Sequence, residues 1–200
     1  MSTQNIFGSE IPSVDNASDG TAYSLGTRFK PQVNGTITGI RWYFPLSVDA
    51  VVPVKAGLYY MPTSYLMDQT EFSLSAAPGW NSVDFDTPLV VTAGELYQAA
   101  IWTPHHYVAT NNYSWPKTSG DLITETPGGF FTAGEDFAIP NNSFSNGNYF
   151  VDVLFTPEGD EEVSEPLTIT IWNGTIEISV GGVVVWDGTT EVPANVDTIV

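Results

Sequence analysis

Hydrophobic residues in this 200-residue chain recur at every second position in short runs broken by Gly, Pro and Asn. That is the pattern of half-buried strands joined by turns. The alternation predicts strands over 23–29, 36–44, 54–60, 71–75, 80–85, 96–102, 106–110 and 149–155, and helical spacing is almost absent. Short strands with turn signals between them predict an all-β, jelly-roll-like β-sandwich. In the last run, Tyr149, Val151, Val153 and Phe155 alternate with Phe150, Asp152 and Leu154. Both faces are largely apolar, so a central strand is expected there. Asp152 is then a buried carboxylate, and Arg28 or Arg41 is its expected ion-pair partner; a catalytic or metal role is the alternative.

The pattern also divides the chain. Residues 1–20 are polar and turn-rich and read as an N-terminal arm or edge segment, followed by the sandwich over 21–157. The segment 158–166 carries five acids bounded by Pro157 and Pro166 and reads as a solvated acidic linker. Beyond it, Ile171-Trp172-Asn173-Gly174-Thr175 is echoed fourteen residues later by Val185-Trp186-Asp187-Gly188-Thr189. Asn-Gly and Asp-Gly suit type I′ hairpin turns, so 167–200 is expected to be a small β-hairpin C-terminal unit with a tryptophan beside each turn. A unit this short buries little apolar surface alone, which makes Trp172 and Trp186 candidates for docking or assembly. The stretch 115–148, rich in Gly, Thr, Pro and Asn, reads as a long surface excursion and a contact region.

Charge narrows the partners. There are 23 acidic residues against 5 basic ones, a formal net charge of −18, and the bases Arg28, Lys30, Arg41, Lys55 and Lys117 all lie in the first 117 residues. So negative a chain repels phosphate backbones, and no nucleic-acid partner is expected. Cysteine is absent, which removes disulfides and thiolate metal sites. No run approaches the roughly 18 apolar residues of a membrane helix, and Met1-Ser2-Thr3-Gln4-Asn5 has neither the basic nor the apolar part of a secretory signal. No membrane partner is expected, and synthesis in a host cytoplasm is.

Candidate chemistry is sparse. His105 and His106 are adjacent and would face opposite sides of a strand, so they do not clasp one metal. Asp84 and Asp86 share a strand face and are candidate ligands for a structural Ca²⁺, with a solvated strand-edge pair as the plain alternative. The sequence contains no GxSxG, P-loop or HExxH motif, and a non-enzymatic protein without a required cofactor is expected. Tyr107, Tyr113 and Trp115, beside the excursion, could form a sugar-stacking platform or could pack under the loop.

Several segments taken together carry a resemblance. Leu25-Gly26-Thr27-Arg28-Phe29, Gly39-Ile40-Arg41-Trp42-Tyr43, Gly79-Trp80, Pro88-Leu89, Val91-Thr92-Ala93-Gly94-Glu95-Leu96-Tyr97, His106-Tyr107 and Asn148-Tyr149-Phe150-Val151-Asp152-Val153-Leu154-Phe155 occur in this order. Over about residues 20 to 157 the chain resembles a bacterial β-sandwich family of uncharacterised function. Its members resemble carbohydrate-binding modules in their surroundings, occurring in large extracellular proteins of actinobacteria and in proteins of their phages. The Trp-Asp-Gly repeat is similar to the C-terminal ends of virion proteins of actinobacterial phages. The resemblance implies a phage virion structural protein displayed on the particle exterior, a capsid decoration protein first and a tail component second. Its partners would be the major capsid protein or other virion proteins, with a homo-oligomer on the particle. The alternative is an adhesion module binding host cell-surface glycans through Tyr107, Tyr113 and Trp115.

Overall fold

In the computed structural model, residues 2–47, 54–73 and 76–158 are described in full, and 167–172, 175–180, 184–186 and 191–193 by backbone only. No helix occurs among the described residues. The chain separates into two compact units, Met1–Glu158 and Gly159–Val200. The first contains β1 (Val14–Ala17), β2 (Tyr23–Pro31), β3 (Gly35–Phe44), β4 (Lys55–Tyr60), β5 (Tyr65–Glu71) and β6 (Gly79–Val91). It continues with β7 (Tyr97–Thr103), β8 (Tyr107–Ala109), β9 (Thr118–Ser119), β10 (Leu122–Ala133) and β11 (Val151–Pro157).

These strands form an all-β sandwich of the jelly-roll-like kind. A six-stranded sheet runs β5-β4-β7-β2-β10-β9, a three-stranded sheet runs β11-β3-β6, and β1 pairs with β8. Every pairing is antiparallel. Alternation places Leu25 and Phe29 of β2, Ile37, Ile40, Trp42 and Phe44 of β3, and Val151, Val153 and Phe155 of β11 in one buried core. Each large side chain so buried stabilises the fold by about 1.5–3 kcal/mol. Trp42 keeps its polar edge satisfied by donating from Nε1 to the Tyr149 carbonyl at 3.0 Å.

β11 is an outer strand of its sheet, not the central one its apolar faces suggested. The N-terminal segment explains how an edge strand can be so buried. Gln4 and Phe155 exchange backbone hydrogen bonds of 2.7 and 2.9 Å, which covers the free edge of β11. The same segment reaches β9, the outer strand of the large sheet: Ser119 Oγ donates to the Asn5 carbonyl at 2.8 Å, and the Gln4 side chain holds Asp121. One strap thus covers two sheet edges that would otherwise present unpaired backbone groups. Ile6 and Phe7 are each 1% exposed, so the first residues are a built part of the core and not an outlying arm.

The excursion over 115–148 is half strand. β10 pairs with β2 along most of its length, with a register shift between Thr124 and Gly129 that absorbs Pro127 and Gly128. Residues 134–140 then cross the outer face of the large sheet: Gln98 Nε2 donates to the Pro140 carbonyl at 2.9 Å and Trp102 Nε1 to the Gly134 carbonyl at 2.9 Å. A Cβ on Gly26 would sit 2.6 Å from the Ala99 carbonyl and 3.2 Å from Pro140, so only glycine leaves room for this cover. Of the strand expected over 71–75, Glu71 ends β5 (Tyr65–Glu71), residues 72 and 73 are not in a strand, and 74–75 lie outside the described residues.

The second unit carries β12 (Leu167–Trp172), β13 (Thr175–Val180), β14 (Val184–Trp186) and β15 (Glu191–Pro193), paired as two antiparallel hairpins. Trp172 pairs with Thr175, leaving two residues between them, and Trp186 with Glu191, leaving four where Asp-Gly suggested two. The Trp172 and Trp186 side chains lie outside the described residues.

Candidate functional site

Besides core groups such as Trp42–Phe44–Phe72 and Phe29–Tyr97–Tyr60, two aromatic clusters lie among the expected site residues. The first borders a half-open pocket of about 420 Å³ between the β1–β8 pair and the ends of β2 and β10. Tyr23, Tyr107, Phe131 and Tyr149 close a ring of four mutual contacts, with centroids 5.5 Å (Tyr23–Tyr107), 6.4 Å (Tyr107–Tyr149), 6.4 Å (Phe131–Tyr149) and 6.0 Å (Tyr23–Phe131) apart. The geometries are edge-on, the arrangement the ring quadrupole favours. Val14, Ala17, Leu25 and Ala109 complete the apolar wall, and Phe144, 62% exposed, stands at the rim.

The pocket's polar groups are Asp19, Asn111 and the three phenols. Asp19 accepts from the Tyr23 hydroxyl at 2.6 Å and from the Thr21 amide at 3.0 Å. The Tyr23 hydrogen bond first, with those of Thr21 after it, holds the Asp19 carboxyl below its ordinary range. Bonding to Asp19 raises Tyr23, burial raises Tyr107, and burial pushes Tyr149 up to about 12. At neutral pH the site therefore presents one carboxylate and three protonated phenols. Such a surface can accept hydroxyl hydrogens, donate to ring or hydroxyl oxygens, and cover an apolar ring face.

The second cluster is closed. Phe7, Tyr43, Trp80 and Tyr113 surround Phe150 at centroid distances of 5.7 to 6.4 Å, and Tyr113 and Trp115 lie 4.5 Å apart. The polar edges of Trp80, Tyr113 and Trp115 are consumed internally. Trp80 Nε1 donates to the Glu10 carbonyl at 2.9 Å, the Tyr113 hydroxyl to Glu10 Oε2 at 2.6 Å, and Trp115 Nε1 to the Asn146 carbonyl at 3.2 Å. Lys117 pairs with Glu10 across the same group. Trp115 also lies flat against Gly128, where a Cβ would meet its ring at 2.6 Å. Phe150 has φ of 54°, a left-handed conformation that costs an L-residue about 1–2 kcal/mol and is held here by packing and by its amide's 2.8 Å bond to Asn148 Oδ1. This kink ends the simple alternation expected across 149–155.

Asp152 lies beneath that cluster, fully buried. Its carboxylate accepts from the amides of Ile6 at 2.8 Å, Phe7 at 3.0 Å and Val153 at 2.8 Å. Of the two expected partners, Arg41 is present: its Nε lies 3.5 Å from Oδ2, near enough for an ion pair though not aligned as a hydrogen bond, and its guanidinium stacks 3.8 Å from the Trp80 ring. Arg28 lies instead 3.7 Å over Phe130. Burial pushes the Asp152 carboxyl up to about 6, against the backbone donors and Arg41, which pull it down. It is a clamp for the N-terminal strap.

The expected platform of Tyr107, Tyr113 and Trp115 is thus divided. Tyr107 lines the pocket, whereas Tyr113 and Trp115 belong to the closed cluster. Asp84 and Asp86 are exposed on β6, and among the described residues no group of three or more His, Asp or Glu side chains is placed to share a metal. His105 is exposed and His106 half-buried, in the turn before β8.

Residues 9–151 match a family described as a domain of unknown function, DUF4082. The chain belongs to that family. No curated protein matches it. The DUF4082 match contains every residue lining the pocket, from Val14 to Tyr149, while the Gln4–Phe155 bridge and Asp152 fall outside it. The matched stretch starts eleven or so residues before the part of the chain that carried the resemblance, and so takes in Glu10 and β1.

Proposed function

We propose that the sandwich is a non-enzymatic carbohydrate-binding adhesion module and that the pocket at Tyr23, Tyr107, Phe131 and Tyr149 is its ligand site. The observation carrying this reading is a pocket of about 420 Å³ whose wall includes a contiguous patch of four aromatics, with a carboxylate and an amide at its border. That combination suits a saccharide, whose rings have apolar C–H faces and a belt of hydroxyls. The volume lies at the small end of ligand pockets, about 300–1,000 Å³, and suits the end of a glycan better than a long internal stretch. Screening the full chain on a glycan array tests it. Retention of a defined saccharide, lost in Tyr107→Ala with the fold intact, is the expected result; no retention, or equal retention by the variant, would sink the reading.

A second reading concerns where the module works. The separate hairpin unit Gly159–Val200 and the net charge of −18 favour a two-part protein with one part docked and the other displayed. In that role it is a virion protein on the exterior of a phage, a capsid decoration protein or a tail component, made in the host cytoplasm and self-associated on the particle. Immunogold labelling of particles with antibodies to 167–200 and to the sandwich tests it. Regular label over the shell is expected of a decoration protein and label at a tail tip of a tail component, whereas particles without label would reject it.

A further inference from the structure

Every cation in the chain already has a partner. Arg28 covers the Phe130 ring, Lys30 pairs with Glu125 at 3.4 Å, Arg41 lies between Asp152 and Trp80, Lys55 lies over Trp102, and Lys117 pairs with Glu10. These are all five of the lysines and arginines. None of them lines the pocket, and the one charged group that does is the Asp19 carboxylate. A carboxylated, sulfated or phosphorylated sugar entering there would bring an anion beside an anion with nothing to neutralise it. Asp19 is solvent-exposed, so the repulsion acts through water and at contact range, and like charges placed side by side there disfavour binding.

The reverse holds for an uncharged sugar. Asp19 uses Oδ2 for Tyr23 and Oδ1 for the Thr21 amide, and an ionised carboxylate offers about four lone-pair sites. Acceptor capacity beyond these two bonds is what a ligand hydroxyl would use, on a side chain already oriented by Tyr23 and Thr21. We infer that the pocket selects saccharide ends without negative charge, and that Asp19 is the residue that both reads their hydroxyls and rejects anionic sugars. The inference rests on the saccharide reading above and deepens it.

Two repulsions must be separated. The field of a chain with net charge −18 acts at long range and fades with salt, the screening length falling from about 30 Å at 0.01 M to about 8 Å at 0.15 M. Contact repulsion by Asp19 persists at the higher salt. The test therefore uses the full chain at about 0.15 M salt on an array pairing neutral oligosaccharides with their uronate-containing or sulfated counterparts, in parallel with Asp19→Asn.

The wild type should retain a neutral sugar and bind its anionic counterpart at least about tenfold more weakly. Asp19→Asn should weaken the neutral sugar by about tenfold, as loss of a charged acceptor does, and should narrow the gap between the pair. Equal binding of neutral and anionic sugars by the wild type would overturn the selectivity while leaving the saccharide site standing, as would an Asp19→Asn variant that changes neither. Retention of no glycan at all would overturn the saccharide reading and the selectivity with it.

Discussion

The two aromatic clusters are built from the same residue types and end as opposites. Around Phe150, Trp80, Tyr113 and Trp115 have their indole and phenol hydrogens committed to Glu10 and Asn146, and the faces of Trp80 and Trp115 meet Arg41 and Gly128. Around Tyr149, the rings of Tyr23, Tyr107 and Phe131 touch edge to edge and form one wall of a pocket. What separates them is the N-terminal strap, which drives Phe7 and Glu10 into the first cluster and leaves the second uncovered. The same ring types are sealed where the strap packs on them and border a pocket where it does not.

Removing the clamp beneath the closed cluster should have the largest effect. Asp152→Ala leaves three amides without their acceptor and strips Arg41 of its ion pair, so a loss of about 3–5 kcal/mol is expected. Urea unfolding of the variant against the wild type measures it, and a loss below about 1 kcal/mol, the scale of an exposed ion pair, would mean that the strap is held by something else. The same residue sets a pH dependence. Its folded-state pKa, about 6, lies above its ordinary 3.8, so its contribution is fully present below about pH 4 and is lost as pH rises through 6. The contribution is of the order of 3 kcal/mol at most. Melting of the wild type and Asp152→Asn across pH 4 to 7 should show their difference changing in that window and level above it; a difference that is flat throughout would refute the assignment.

Truncations in the two clusters should then diverge. Trp115→Ala removes a half-buried ring packed on Tyr113, Phe7 and Gly128, and should cost about 2 kcal/mol, below the 3–5 kcal/mol of a fully buried ring, with no effect on a ligand of the pocket. Tyr107→Ala removes two edge contacts worth about 1 kcal/mol each at most and opens the pocket wall. Its stability should change least while binding is lost.

The sandwich was legible where burial alternates on either side of at most one irregularity, as at Gly39 in β3. In β3, Ile37, Ile40, Trp42 and Phe44 are buried and Thr36, Thr38, Arg41 and Tyr43 half-buried, and the pattern of the residues says so directly. β10 was hidden because Thr126-Pro127-Gly128-Gly129 reads as a turn, whereas here it is an irregularity within a strand whose two halves both pair with β2. β1 was hidden because Val14-Asp15-Asn16-Ala17 buries almost nothing and is held by pairing with β8 and by hydrogen bonds to Leu46 and Ser47. The edge position of β11 was masked by the strap, which gives an outer strand the burial of an inner one.

The candidate site was legible only through Tyr107. Tyr23 and Tyr149 read as strand residues destined for the core, and Phe131 lay in a stretch without strand pattern, so nothing local marked the three as neighbours. Their ring depends on β10 pairing with β2 and β8 pairing with β1, contacts separated by about a hundred residues in the chain. Trp115 drew attention as an aromatic beside a long loop, and the glycine at 128 that receives its ring carries no signal linking the two.

The most direct test is binding of one array-identified neutral saccharide, measured by titration calorimetry on the folded wild type, Tyr107→Ala and Trp115→Ala. The account predicts that Tyr107→Ala loses the ligand and Trp115→Ala binds it as the wild type does. Loss in Trp115→Ala with retention in Tyr107→Ala would contradict it and place the site on the closed cluster.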